Sequence, residues 1–204
     1  MQIRNLNDAR YEACQKADEV LNMISYNRCE MIPTSGIMRA VEKTAGVKIR
    51  FAICDFEKYW KKGKIDFASQ AVAMNIKQEE DFKIARILVN ERQPLVMQRF
   101  GLIHALGRIA MGTTEDICED SDKFRMLVHV DMDIDSIPND LLEKSEYDFM
   151  IPEQAANYFA LFVTIPMSML QKQIRDDKTL TDMAMFFGVS REAIMSRLKL
   201  EIAK

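Results

Sequence analysis

The sequence predicts an α+β protein: a small, three-stranded, mostly antiparallel sheet packed on helices, followed by a C-terminal unit resembling a helix-turn-helix. Three observations predict it. Apolar and polar residues alternate from residue 47 to 53, and residues 71–76 and 82–89 give two more strand-like runs. Apolar residues recur with helical spacing before and after those runs. Near the end, Ala184 and Gly188-Val189-Ser190 give an Ala-x-x-x-Gly-Val-Ser pattern, with a small residue where two helices cross and a glycine for the turn.

Taken in order, residues 8–26 place Tyr11, Ala13, Cys14, Ala17, Val20, Leu21 and Ile24 at helical spacing. Pro33-Thr34-Ser35 restarts the chain, and residues 36–44 form a second helix ended by Gly46. Val47, Ile49, Phe51 and Ile53 then alternate with Lys48, Arg50 and Ala52, as in a half-buried strand. Residues 58–64, KYWKKGK, surround the single tryptophan and read as a solvated basic hairpin loop. Residues 71–76 and 82–89 give two more strands joined by the acidic turn Gln78-Glu79-Glu80-Asp81.

The next helix covers residues 99–111, with Pro94 near its first turn and Gly112 just past its end. Leu95, Leu102 and Leu106 share one face, which predicts packing. His104 and Arg108 lie four apart on roughly the opposite face, beside Gly101, Ala105 and Gly107. After an acidic loop over residues 113–122, Phe124, Met126, Val128, Val130 and Met132 line one side of a further strand, with His129 on the other. Asp131, Asp133 and Asp135 suggest a calcium loop, but Ser136 stands where such a loop needs glycine and Leu142 where it needs glutamate. Pro152 opens the next helix and places Glu153 near a helix N-terminus, where a carboxylate is favoured. That helix runs to about Thr164 and is stopped by Pro166.

In the C-terminal unit Ser190 caps the last helix. Ile194 and Leu198 pack that helix inward, leaving Arg191, Ser196, Arg197 and Lys199 outside. From Lys172 onward seven basic and five acidic residues leave a surplus of two, thin for a reader of DNA.

Composition bounds the functions. At 204 residues, 48% hydrophobic and 29% charged, the chain has ample material for one globular core. A net charge of −3 exerts no pull toward nucleic acid or anionic lipid. No apolar run reaches the length of a membrane span, and the first ten residues lack the apolar stretch of a secretion signal. The four cysteines are scattered without a C-x-x-C pair and read as reduced, buried thiols of a cytoplasmic protein. Fifteen methionines read as adaptable core packing.

The chemistry concentrates on His104-Ala105-Leu106-Gly107-Arg108. An H-E-x-x-H helix would set two imidazoles one turn apart on zinc, with a glutamate as general base. Here Ala105 offers no carboxylate, and Arg108 presents only donors and keeps its proton. The wider text, Arg99-Phe100-Gly101-Leu102-Ile103-His104-Ala105-Leu106-Gly107, resembles the R-F-T-L-A-H-E-L-G-H signature of the ImmA/IrrE metallopeptidases. Residues 87–90 resemble the short strand before it. Glu153-Gln154-Ala155-Ala156-Asn157-Tyr158-Phe159-Ala160 with Ile165-Pro166 resembles that family's second signature, E-x-x-A-N-x-F-A…M-P. The likeness spans roughly residues 33–200.

The resemblance implies a zincin-like core in residues 1–172 and a helix-turn-helix-like unit in 173–204. It places Glu153 at the position of the family's third zinc ligand. It also marks the residues between the two signatures as a longer join than the family's usual one. The catalytic set His104, Ala105, Arg108 and Glu153 is then degenerate, and no cofactor is expected. The expected function is a silent relative that binds a protein partner, a helix-turn-helix repressor of a phage or mobile element, and acts by occupancy. The exposed C-terminal residues Arg191, Ser196, Arg197 and Lys199 are its candidate contacts. Two alternatives stand beside it: a zinc endopeptidase using His104, Glu153 and His129, and a DNA-binding regulator working through the C-terminal unit. If Arg108 and Glu153 occupy two former ligand positions, their charges should form a direct or water-bridged ion pair.

Overall fold

A computed structural model describes residues 5–26, 30–59, 71–79, 81–114, 125–127 and 144–202. Twelve elements follow one another within them: α1 (Leu6–Asn22), α2 (Thr34–Ala45), β1 (Val47–Cys54), α3 (Phe56–Tyr59), β2 (Val72–Gln78), β3 (Lys83–Asn90), α4 (Leu95–Ala110), β4 (Arg125–Leu127), α5 (Lys144–Thr164), α6 (Met167–Arg175), α7 (Leu180–Phe187) and α8 (Arg191–Ile202). The chain is α+β, as its periodicities predict. Among the described residues no helix is long and apolar enough to cross a membrane.

The sheet is mixed, in the order β1-β3-β2-β4. β2 is antiparallel to both β3 and β4, whereas β1 runs parallel to β3. That last pairing corrects the expected hairpin after β1. Strand β3 lies between β1 and β2, so residues 55–71 connect strands that are not neighbours. Alternation reveals that a run is a strand but says nothing of which strand it will join. Parallel neighbours only require a long connection, and this chain has one. Trp60 and residues 61–64 lie outside the described residues, as do His129 and residues 131–142.

One face of the sheet carries Ile49, Val72, Met74, Ile76, Ala85, Ile87 and Val89 into the main core. Helices α2, α4 and α5 supply most of the other side. α1 packs chiefly along α5 through Ala9, Ala13 and Ala17, all fully buried. Alanine every fourth residue leaves a smooth stripe against which a second helix can lie close. Tyr11 and Cys14 fall off that stripe and are exposed, against expectation; Cys54 is half-buried. Leu127 of β4 is also fully buried, although it lies off the expected apolar stripe of its strand.

Two further corrections concern the helices that matter most. Leu102 and Leu106 of α4 are buried, but Leu95, at the start of its first turn, is 81% exposed. α5 begins at Lys144, so Pro152 sits inside the helix and Glu153 is far from its N-terminus. A helix-end explanation of Glu153 therefore falls away.

The C-terminal helices share the main core through Met183, Phe187, Val189, Ile194 and Leu200. The expected boundary between residues 172 and 173 falls inside α6. Their local signals are all present. Thr179 and Asp182 form a reciprocal capping box, Gly188 ends α7 at φ 61°, and Ser190 Oγ accepts from Ala193 N–H at 3.1 Å.

Candidate functional site

α4 and α5 cross face to face, and the crossing depends on Gly107. A Cβ there would stand 2.9 Å from the Ala156 carbonyl oxygen and 3.1 Å from the Phe159 ring, both parts of the α5 wall. The absent side chain lets the two helices approach until residues on their facing stripes touch. His104 and Arg108 are one turn apart on α4; Glu153 and Asn157 are one turn apart on α5. The 3.6-residue repeat brings all four to the same contact.

His104, Arg108 and Glu153 are fully buried, and Asn157 nearly so. His104 Nδ1–H donates to Asn157 Oδ1 at 2.8 Å, and Nε2 lies 2.7 Å from Glu153 Oε2, close enough to share one proton. The other oxygen, Glu153 Oε1, is 3.5 Å from Arg108 Nη1. The ion pair expected from the two motifs is therefore direct. Asn157 Nδ2 also reaches Gln154 Oε1 at 3.4 Å, so the polar ring continues along α5.

This donor set does not fit a zinc ion. Of the side chains gathered here only His104 and Glu153 are donors that zinc commonly takes, where a catalytic zinc site needs three. A guanidinium occupies the place of the second imidazole, and its fixed positive charge would repel a divalent cation. Ala105 is fully buried and brings no base to the site. What the arrangement does is set a buried carboxylate between an imidazole and a guanidinium, so that opposite charges face one another away from water.

The C-terminal candidates separate into two kinds. Arg191, Ser196 and Lys199 are exposed, as expected. Arg197 is not: it is 4% exposed, its Nε donates to the Ile165 carbonyl at 3.1 Å, and its guanidinium lies 4.7 Å from the centre of the Phe162 ring. The chain reverses between α5 and α6 at Ile165-Pro166, and Arg197 fastens α8 to that corner. The burial of Arg197 corrects the expectation that it lies on the outer face of α8.

Two residues quoted in the signatures carry roles that the reading of the sequence did not give them. That of Asn157 could have been found, since it follows Glu153 by the same four residues that separate His104 and Arg108. That of Arg99 could not. Its guanidinium donates to the carbonyls of Ile32 (2.9 Å), Phe187 (2.8 Å) and Gly188 (3.0 Å), and Nε to Thr34 Oγ1 (3.3 Å). These acceptors are mostly main-chain oxygens from distant parts of the chain, which leave no trace in residue type. Burial pushes Arg99 down to about 10, still protonated at neutral pH. It ties the start of the site helix to the end of α7.

No family model matches this chain, and no curated protein matches it in sequence with significance.

Proposed function

We propose that this chain is a catalytically silent relative of the ImmA/IrrE metallopeptidases. In this reading it works in the cytoplasm, without zinc, by holding a regulatory protein rather than cutting it. The partner is a helix-turn-helix repressor of a phage or mobile element. The observation that carries the reading is the buried Arg108 guanidinium, 3.5 Å from Glu153, in the position where an H-E-x-x-H helix would present its second imidazole. Two segments that resemble the family's two signatures meet at that point, with His104 and Glu153 at 2.7 Å. Chemistry that needs a metal-bound water and a base has neither partner here. The class of protein bound rests on the resemblance alone, and Arg191, Ser196 and Lys199 remain its candidate contacts.

The test is to titrate the purified chain against the repressor encoded beside its gene, with and without a chelator. A stable complex with both chains at full length, unaffected by the chelator, is expected. Chelator-sensitive fragments of the repressor would overturn silence, and no complex with any neighbouring repressor would overturn the holding role.

A further inference from the structure

β1 is an edge strand, and among the described residues no strand pairs with its outer side. Edge strands normally carry protection: lysine, proline, a bulge or a covering segment. Among the described residues, β1 is protected along only half its length. Ile49 N–H donates to the Glu42 side chain of α2 at 2.8 Å, so the backbone of Ile49 points outward and its donor is occupied. In a parallel pair, alternate residues turn their N–H and C=O groups to the same side. Phe51 and Ile53 therefore also point their backbone groups outward, beyond the reach of Glu42. Cys54 points inward, its carbonyl accepting from Glu91 N–H at 3.0 Å.

The unprotected half is also apolar. Phe51 is 47% exposed, Ile53 is 56% exposed, and Ala52 between them is exposed on the opposite face. The segment contains no charge, glycine or proline. Such an edge is a template for another strand.

We propose that β1 pairs antiparallel with β1 of a second copy of this chain, with Ala52 meeting its symmetry mate on the two-fold axis. Directly opposed residues must share a face, and those with outward backbone groups must form the hydrogen-bonded pairs. Centring on Ala52 sets Phe51 opposite Ile53 twice, using both open residues in both copies and making four backbone hydrogen bonds. A register centred on Phe51 would set Ile53 opposite Ile49, whose N–H Glu42 already holds. Glu42 thereby selects the register.

Cross-strand pairs agree with the choice. The Phe51 and Ile53 side chains meet as an aromatic–β-branched pair, and no like charges face one another. The antiparallel sense lays the basic half of one strand, Lys48 and Arg50, along the end of the other. There the carboxylates of Asp55, Glu57 and Glu91 outnumber Arg92 and Lys58. A parallel arrangement would set like beside like and, being heterologous, would not close.

The experiment measures molecular mass by sedimentation over a hundredfold range of concentration, with the full chain and two kinds of variant. The wild type is expected to pass from monomer to dimer. Ile53→Lys, at an exposed position, is expected to weaken dimerisation at least tenfold. Ala52→Cys is expected to form a disulfide-linked dimer on mild oxidation, because non-hydrogen-bonded pairs bring opposed Cβ atoms close. Lys48→Cys, exposed on the same strand but opposite no copy of itself, is expected to crosslink no faster than the wild type. A chain that stays monomeric throughout overturns the proposal, as does a dimer indifferent to Ile53→Lys or equal crosslinking by the two cysteine variants. Capture of another protein's strand at this edge by a monomeric chain counts among the first of these.

Discussion

Two helix pairs in this molecule each bury an arginine, and the two arginines do different work. In the α4–α5 pair, Arg108 faces a carboxylate that also holds an imidazole, all three fully buried. In the C-terminal unit, Arg197 faces a main-chain carbonyl and an aromatic ring, and pairs at 2.5 Å with Glu201 one turn later on α8, a carboxylate that is partly exposed rather than fully buried. Removing Arg108 would take the guanidinium from beside a fully buried carboxylate. Removing Arg197 would leave a carbonyl unsatisfied, a ring uncovered and Glu201 without its guanidinium. A buried guanidinium is thus defined by its neighbours, and the neighbours come from other elements.

The largest expected effect separates the two. Arg108→Met leaves the fully buried Glu153 without its guanidinium and should cost about 3–5 kcal/mol. Arg197→Met loses a charge-assisted hydrogen bond to a carbonyl and the pair with the partly exposed Glu201, and should cost about 1.5–3 kcal/mol. Urea unfolding at unchanged m resolves the order. If Arg197→Met proves the costlier, the contrast between the two regions fails.

A sharper form of the comparison uses metal. Arg108→His replaces the repelling charge by a ligand, so that His104, the new imidazole and Glu153 would form a three-ligand set. Without metal this variant should be less stable than the wild type. With zinc it should recover stability and retain about one equivalent through gel filtration, while the wild type retains none. Equal zinc content in the two proteins would remove the idea that α4 and α5 keep a metal-site frame.

How much of this was legible follows the range of each signal. The cap of α8, the turn at Gly188 and the stop at Pro166 depend on residues within one turn of each other, and the sequence states them. His104, Arg108 and Glu153 were legible as a group only because two separated segments resembled an ordered pair of signatures. The burial of Arg197 was not legible, since the ring and carbonyl that hold it lie on α5 and at its end. Nor was the exposure of Leu95, Tyr11 and Cys14, which depends on where neighbouring elements stop. Pro152 misled for a different reason. Proline suits the first turn of a helix, yet α5 runs for eight residues before Pro152. The parallel pairing of β1 was invisible because alternation is blind to direction.

The smallest expected effect belongs to the region whose structure is most local. Thr179 Oγ1 accepts from Asp182 N–H at 3.2 Å, and Thr179 N–H donates to Asp182 Oδ2 at 3.0 Å. The hydrogen bonds from the Thr179 hydroxyl and N–H hold the Asp182 carboxyl below its ordinary value of 3.8. A carboxylate depressed by folding contributes stability that is complete above the unfolded value and is lost as pH falls through the lower folded one. Thr179→Ala should therefore cost about 1 kcal/mol at neutral pH, the usual worth of an N-cap. The difference from wild type should shrink only below about pH 3.8. Paired urea titrations at pH 7 and pH 3 read both arms. A gap that persists undiminished at the lower pH would separate the cap from the charge of Asp182 and leave the hydroxyl as its whole basis.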